Sequence, residues 1–360
     1  MVLPAPRSEP VRKDSGRWNS GQARYSAAVS LLHGRRTPIS IHEIRPRARQ
    51  VAEEAQHVGV VRERALGLAA EYTPLGGEDG LGEALDSDLR FQGDLQAELA
   101  YCITLAALRF GSGYHAKLAK REGLSVGQTL VQGLTEQFER FGPPSPDELQ
   151  RVSSADCARW FGQDPDEPAH VELLDLFARS LRDLGTLLSE EHGGSFEALI
   201  AAAGGSAARL VELLAEMPFF ADVQRYRGLE VPFFLRAQQL VVDLVQTFGR
   251  EDYGAFTDLG VLAPSGDNVI PHVLRLDGVL QYDRGLAERI DRGEPVPAHT
   301  EREVELRAAA VHAVSLIADE VRSGGAPDTT DAQVDAWLRL RGRAPAYREK
   351  PRHRSRTVLY

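Results

Sequence analysis

The segment APSGDNVIPHVLRLDGVLQYD, residues 263–283, places the polar pair Asp267 and Asn268 at the edge of an apolar stretch. Pro271 follows closely, and proline is tolerated in the first turn of a helix. One interpretation is therefore that Asp267 or Asn268 caps the helix that comes next. The other is that a carboxylate held beside so apolar a stretch serves a chemical function, and the local sequence leaves both interpretations open.

A second polar group lies on the apolar helix predicted for residues 233–248. Arg236, Gln239, Asp243 and Gln246 recur at i, i+3, i+7 and i+10, so they form one stripe along the helix. The stripe is either an exposed face of a packed helix or the wall of a pocket. In the second case Arg236 points its guanidinium into the pocket. The planar shape of that group allows it to pair with a phosphate or a carboxylate.

A third candidate is the Gly-Ser-Gly sequence in RFGSGYHAKL, residues 109–118, which follows an apolar helical run. Such a loop can offer backbone N–H groups to a polar ligand. The same sequence is also typical of a helix C-terminus, where glycine adopts a left-handed conformation.

The C-terminal segment 341–360 is the fourth candidate, because it carries seven Arg or Lys residues and one Glu. Such a run is usually a solvated basic tail. It ends, however, in Thr-Val-Leu-Tyr, which suits packing better than solvation. A basic end folded over a pocket could neutralise a phosphate.

Composition restricts the class of protein. The chain has 360 residues, with 42% hydrophobic residues, 26% charged residues and a net charge of −10. These values are typical of a globular protein and argue against direct binding of nucleic acid. Two cysteines, Cys102 and Cys157, lack the spacing of metal ligands or of a disulfide framework. We therefore expect no metal, no cofactor, no membrane span and a cytoplasmic location.

Helices must position these groups, because apolar residues recur at helical spacing from Ile44 onwards, whereas alternating strand patterns are few. Residues 1–35 are predicted to be a loose N-terminal tail, and residues 36–360 a single, mainly α domain with few or no strands. The predicted helices cover residues 51–61, 95–108, 171–188, 207–214, 233–248, 286–290, 304–321 and 332–340.

From about residue 44 to residue 360 the chain resembles the queuosine salvage proteins, which are queuosine 5′-phosphate N-glycosylases. The resemblance rests on several segments in order: IRPRARQVAEEAQHV, FGSGY, CARWFGQD, GGSFEAL, VPFFLRAQ, DNVIPHVLRLDGVLQYD and PRHRSRT. It implies a helical fold similar to that of DNA glycosylases. It also implies cleavage of the N-glycosidic bond of a small nucleotide, which releases queuine for tRNA modification.

The resemblance also implies roles for individual residues. The family's catalytic aspartate lies just before a proline, and Asp267 occupies that position. Asp335 matches a residue that holds the base, and His57 matches a position that contacts base or ribose. On charge alone, candidates for contacts to the 5′-phosphate are Arg236, His353, Arg354 and Arg356.

The substrate-binding positions also depart from the family pattern. Ser265 stands where the family has an aromatic residue, Ala336 where it has tyrosine, and Leu340 where it has a polar residue. Arg339 replaces a tryptophan. These differences fit either a changed substrate, namely a related 7-deazapurine nucleotide, or a catalytically impaired homologue that binds a nucleotide or protein partner without turnover.

Overall fold

The computed structural model describes residues 39–76, 80–82 and 86–360, which are mainly helical. Fifteen α-helices occupy these described residues, together with short 3-10 turns. In chain order the helices are α1 (Ile44–Glu54), α2 (Arg62–Ala69), α3 (Leu95–Leu108), α4 (Val126–Phe141), α5 (Pro146–Arg151), α6 (Ser154–Phe161), α7 (Pro168–Glu191), α8 (Phe196–Ala202), α9 (Ala207–Leu214), α10 (Leu235–Phe248), α11 (Ile270–Leu276), α12 (Arg284–Asp291), α13 (Glu301–Ser323), α14 (Asp331–Arg341) and α15 (Pro345–Arg348).

Two antiparallel strand pairs accompany the helices in the described residues. The strands are β1 (Val58–Val60), β2 (Val223–Tyr226), β3 (Leu229–Pro232) and β4 (Leu280–Tyr282). β1 pairs with β4, and β2 pairs with β3 in a hairpin. Arg227 and Gly228 close that hairpin with φ angles of 47° and 89°. Positive φ at both turn residues matches the twist of the flanking strands.

Helix α13 lies at the centre of the core and packs against α1, α2, α11 and α14. Its buried side chains are mostly alanine and branched aliphatic residues, so neighbouring helices can approach it closely and interlock with it. These residues include Val304, Leu306, Ala308, Ala309, Ala310, Ala313, Val314 and Ile317. Since α11 and α14 both pack on α13 and on each other, the residues that they carry hold fixed relative positions.

Seven of the predicted helices are confirmed, among them the run over 207–214, whose bounds match those of α9. The helix predicted over 51–61 is wrong beyond Glu54. There the Glu305 carboxylate accepts hydrogen bonds from the backbone N–H groups of Gln56, His57 and Val58, at 3.1, 2.6 and 3.2 Å. Backbone groups held in this way cannot continue the helical ladder, and the chain proceeds as β1.

Residues 39–360 form one compact unit. The predicted N-terminal tail, residues 1–35, lies outside the described residues. In the described part of the chain no helix has the length and apolarity needed to cross a bilayer. Cys102 and Cys157 are both buried and both unpaired with another cysteine.

Candidate active site

Asp267 lies just before α11, and its carboxylate accepts hydrogen bonds from the backbone at the start of that helix. Its Oδ1 accepts the backbone N–H groups of Val269 at 2.8 Å and Ile270 at 3.1 Å. Asn268 instead donates to Oγ of Ser112 in the Gly-Ser-Gly loop, at 3.0 Å. Val269, not Asp267, holds the N-cap position of α11, so Asp267 supports the start of the helix from two residues upstream, and these contacts use only one of its two carboxylate oxygens.

The second oxygen of Asp267 contacts Arg339, which bridges two buried carboxylates. Arg339 Nη1 lies 2.8 Å from Oδ2 of Asp267, and its Nε lies 2.8 Å from Oδ2 of Asp335. Asp335 and Arg339 are four residues apart on α14, so their side chains are neighbours on one face. Asp335 also accepts hydrogen bonds from the backbone N and the Oγ of Ser265, at 2.7 and 3.2 Å. These contacts tie α14 to the turn that carries Asp267.

A cavity of about 700 Å³ opens beside this group. Ser265, Asp335, Ala336 and Leu340, all of them positions identified from the sequence, line it together with Arg339. Asp267 is not among the lining residues and is linked to the cavity through Arg339. The cavity is large enough for a nucleotide-sized ligand.

The polar stripe on α10 forms another part of the cavity wall. Gln239, Asp243 and Gln246 line the cavity, so of the two interpretations the pocket wall holds for these three residues. Asp243 is held in an ion pair with Arg109, which also lines the cavity. The part of the cavity wall that α10 contributes therefore carries polar side chains, and the charge of Asp243 in it is already paired.

The structure does not bring Arg236 to the cavity. Its side chain is 1% exposed, and its guanidinium donates to the carbonyl oxygens of Ala106, Phe219 and Val358, at 2.7, 2.8 and 3.2 Å. These hydrogen bonds connect α3 and α10 to the C-terminal segment. Its geometry is that of a structural arginine in the core, so the expectation that it contacts the 5′-phosphate finds no support.

Burial raises the pKa of both carboxylates, whereas the Arg339 guanidinium lowers it in both. Burial disfavours the ionised form of Asp267, but the Arg339 guanidinium and the N–H groups of Val269 and Ile270 outweigh it, so the pKa is lowered. Burial and the neighbouring charge of Asp267 raise the pKa of Asp335, despite Arg339. Asp267 therefore loses its proton more readily than Asp335.

The turn that precedes Asp267 is held from behind by Arg307 of α13. Arg307 is fully buried, donates from Nε to the Gly266 carbonyl at 2.6 Å, and forms two hydrogen bonds to Asp222 at 2.9 and 2.5 Å. A Cβ on Gly266 would lie 2.9 Å from the Phe233 ring, so the turn requires glycine here. Arg307 and Gly266 fix the backbone from which the Asp267 side chain projects.

Sequence reasoning gave no role to Arg307 and regarded Arg339 only as a replaced residue. A signal was present in both cases. Glu303 and Arg307, like Asp335 and Arg339, are oppositely charged residues four positions apart on helices that also carry many apolar residues. On a helix that is buried on most sides, such a pair must be satisfied inside the protein.

The C-terminal segment is folded rather than a solvated tail. It crosses the Gly-Ser-Gly loop so closely that a Cβ on Gly113 would lie 2.1 Å from the Ser355 carbonyl oxygen. His353 is buried, and burial lowers its pKa to about 4, so it is uncharged at neutral pH. Arg354 donates to the Gly293 carbonyl at 2.6 Å, and Arg356 pairs with the Glu172 carboxylate. None of these three predicted residues lines the cavity.

His57 also lies outside the cavity wall. Its Nδ1 is 2.5 Å from Oδ2 of Asp283, which joins the start of β1 to the end of β4. Among the described residues, His57, Glu301 and Glu305 offer ligand atoms within 4.8 Å of one another, so the group could hold a metal ion. Glu301 is, however, paired with Arg227 at 3.2 Å. A contact of His57 with substrate stays a prediction.

The chain belongs to the queuosine salvage protein family. The sequence profile of that family matches residues 98–360, which contain the cavity-lining residues of α10, α14 and the turn at Asp267. The family is therefore established by nearly three-quarters of the sequence, including the part that carries the site.

Among relatives of this chain are proteins named queuosine 5′-phosphate N-glycosylase/hydrolase. That of Sphaerobacter thermophilus is 40% identical over 214 residues, 59% of this chain and 64% of the relative. That of Dictyostelium discoideum is 32% identical over 216 residues, 59% of this chain and 65% of the relative. These two alignments span slightly less than two-thirds of the relatives. The protein of Mus musculus is 27% identical over 352 residues, 88% of this chain and 98% of the relative.

Proposed function

We propose that this chain hydrolyses the N-glycosidic bond of queuosine 5′-phosphate or of a related 7-deazapurine nucleotide, releasing the free base and ribose 5-phosphate. In this role it would salvage queuine for tRNA modification, acting in the cytoplasm on a small nucleotide rather than on nucleic acid. The observation that carries the proposal is an ionised, buried carboxylate, Asp267, next to a cavity of about 700 Å³ in a member of this family. An open cavity favours turnover over the alternative of a catalytically silent homologue.

The hydrogen bonds of Asp267 leave one position for chemistry. An ionised carboxylate has about four lone-pair sites. Oδ1 accepts two backbone N–H groups and Oδ2 accepts Arg339, so three sites are used within the described residues. The remaining site on Oδ2 can face a sugar or a water molecule. The cap and Arg339 thus orient the carboxylate without saturating it.

Cleavage of a ribose–base bond leaves the bonding electrons on the base nitrogen and builds positive charge at the anomeric carbon. A negative oxygen beside that carbon stabilises this oxocarbenium-like state or adds to it. Water then supplies the oxygen of the new C1′–OH group, and a proton goes to the base. The buried surroundings of Asp267 exclude bulk water, which strengthens the electrostatic interaction.

Asp335 is proposed to hold the base. Its Oδ1 accepts one hydrogen bond, from the Ser265 backbone, and its Oδ2 accepts two, from Ser265 Oγ and Arg339 Nε. One lone-pair site on Oδ1 therefore remains for an N–H group of the base. Ala336 and Leu340 lie on the same helix and complete the wall next to it.

The direct test is incubation of the purified chain with queuosine 5′-phosphate and a panel of 7-deazapurine and purine nucleotides, followed by chromatography of the released base. We expect time-dependent release of the base from at least one 7-deazapurine nucleotide. Absence of release from every member of the panel would reject it.

A 5′-phosphate is expected to be needed for tight binding. Burial lowers the pKa of Arg352, and the charges of Asp267 and Arg339 also act on it, although Arg352 is not one of the residues that line the cavity. Arg354, Arg356 and the uncharged His353 lie next to it in sequence. A charge-assisted hydrogen bond contributes about 1.5–3 kcal/mol, or roughly ten- to a hundredfold in affinity. We therefore expect kcat/KM for a nucleoside to be at least about tenfold below that of its 5′-phosphate.

Arg352→Met should remove most of that difference between nucleotide and nucleoside. Arg348→Met, a change at an exposed arginine on α15, is the matched control and should preserve it. Equal efficiency of the wild-type protein on a nucleoside and its 5′-phosphate would contradict the phosphate prediction.

Queuosine 5′-phosphate is expected to be a poor substrate, because Ser265 and Ala336 leave the cavity without aromatic rings at these two positions. Stacking of a base on an aromatic ring is worth about 1–3 kcal/mol in other proteins. We therefore expect the double variant Ser265→Phe, Ala336→Tyr to release queuine about ten- to a hundredfold more efficiently. A folded double variant that is no better than the wild type would show that other residues hold the base.

A further inference from the structure

A group of three charged side chains lies where α10 forms the cavity wall. Asp243 pairs with Arg109 through Oδ2, and its Oδ1 lies 3.6 Å from Nη1 of Arg90. These three side chains, here called the arginine cluster, are largely buried, with 8% of Arg90, 20% of Arg109 and 5% of Asp243 exposed. Among the described residues, no other carboxylate lies within ion-pairing distance of either guanidinium. The arginine cluster therefore combines two positive charges with one negative charge.

The surplus positive charge of the arginine cluster cannot be removed by loss of a proton, because guanidinium groups stay protonated in proteins. A charge that is buried without a partner is costly. Arg109 is the member of the cluster that is open to a ligand, since it lines the cavity. Its Nη1 is used by Asp243, whereas its Nε and Nη2 donate to no other described residue. The cluster thus presents unused donors and an uncompensated charge to the cavity.

The distance of the arginine cluster from the turn at Asp267 follows from the geometry of α10. Near the start of that helix, Gln238 Oε1 accepts the backbone N–H of Ala263 at 2.7 Å, and both residues line the cavity. Asp243 lies five residues further along, which is about 7.5 Å along the helix axis. A base held by Asp335 beside that turn could therefore extend a substituent of a few atoms towards the cluster while its ribose stays at Asp267.

We propose that the arginine cluster binds an acidic substituent of the base, a carboxylate at position 7 of the 7-deazapurine, through Arg109. This inference rests on the proposed function and specifies its substrate class. Position 7 can carry a substituent because a carbon atom replaces the ring nitrogen there. The two oxygens of a carboxylate can accept two parallel N–H groups from one guanidinium. Nε and Nη2 form one edge of the Arg109 guanidinium, and the contact with Asp243 leaves that edge unused.

Three nucleotides that differ only at position 7 test this charge preference on the wild-type protein. 7-Carboxy-7-deazaguanosine 5′-phosphate carries an anion there, the 7-carboxamide carries a neutral group of nearly the same shape, and the 7-aminomethyl compound carries a cation. We expect calorimetry to give a Kd for the carboxylate about ten- to a hundredfold below that for the carboxamide, the range of a charge-assisted hydrogen bond. The aminomethyl compound should bind more weakly than both, because its cation adds to the surplus positive charge.

Arg109→Met tests the donor itself. It leaves Arg90 and Asp243 as a pair of one positive and one negative charge, so we expect the variant to fold. Its preference for the carboxylate over the carboxamide should fall at least about tenfold. Arg343→Met removes another cavity-lining arginine, which is exposed, and should leave the preference unchanged. Thermal unfolding checks that both variants fold.

A second comparison shows whether Arg109 binds the 5′-phosphate instead. The Kd values of 7-deazaguanosine and its 5′-phosphate are measured on the wild type and on Arg109→Met. Neither compound has an acidic group at position 7, so we expect the ratio of the two Kd values to be the same in both proteins.

Calorimetric binding also separates this inference from the proposed hydrolysis, because it needs no turnover. Tighter binding of the carboxylate than of the carboxamide, without release of base from either, would support the role of Arg109 and reject the hydrolysis. Equal Kd values for the two compounds, with release of both bases, would support the hydrolysis and overturn the role of Arg109. That role would also be overturned by an unchanged preference in Arg109→Met, by loss of the 5′-phosphate effect in that variant, or by no binding of any of the compounds.

Discussion

Replacement of Asp267 by asparagine is expected to lower turnover by at least about a thousandfold. The reaction needs a negative charge beside the anomeric carbon, and the amide of asparagine has none. Asparagine caps helices about as well as aspartate, so its Oδ1 can still accept the N–H groups of Val269 and Ile270. Its Nδ2 would face the Arg339 guanidinium, a contact of two donors that costs about 1–3 kcal/mol of stability. Steady-state kinetics and thermal unfolding measure the two effects separately.

Asp258→Asn is the matched control. Asp258 is also a capping carboxylate, which accepts the N–H groups of Ala207 and Ala208 at 2.6 and 3.2 Å, but it does not line the cavity. It should lose little activity. Wild-type turnover in Asp267→Asn would contradict the catalytic role and leave Asp267 as a cap only.

Replacement of Arg307 by methionine is expected to give the largest loss of stability. The change leaves the Asp222 carboxylate and the Gly266 carbonyl without their buried donor. Removal of one partner of a buried ion pair costs about 3–5 kcal/mol, because the other charge stays buried. In a protein of this size the melting temperature should fall by on the order of 5–15 °C. Urea unfolding followed by circular dichroism measures the free-energy change.

The double variant Arg307→Met, Asp222→Asn separates loss of the pair from loss of packing. Neutralising Asp222 removes the unpaired charge, so the double variant should be more stable than Arg307→Met alone. If the free energy of unfolding of Arg307→Met alone lies within about 1 kcal/mol of the wild-type value, the buried pair contributes little to stability.

Helices with one continuous apolar face were predictable from local sequence. Residues 171–188 and 207–214 carry that periodicity along their whole length, and the structure confirms both as helices. The end of α1 was not predictable locally. Its apolar spacing continues beyond Glu54, but the carboxylate of Glu305, distant in sequence, takes the backbone donors that the helix would need.

The candidate site was predictable in part. Family resemblance led to Asp267 and Asp335, and the structure links them through one arginine. Charge alone was a poor guide to the remaining residues. It selected Arg236, which binds backbone carbonyls in the core, and gave no role to Arg339, whose contacts depend on α14 packing beside α11. Which buried arginine meets a carboxylate is decided by helix packing, which local sequence does not specify.

Hydrolysis that depends on the Asp267 carboxylate can be measured in a single-turnover reaction with excess protein and 7-deazaguanosine 5′-phosphate. Free base and ribose 5-phosphate are quantified over time for the wild type and for Asp267→Asn. We expect the wild type to form the two products in equal amounts and the variant to form neither at a measurable rate. Absence of both products with the wild type, or equal rates for the two proteins, would contradict it.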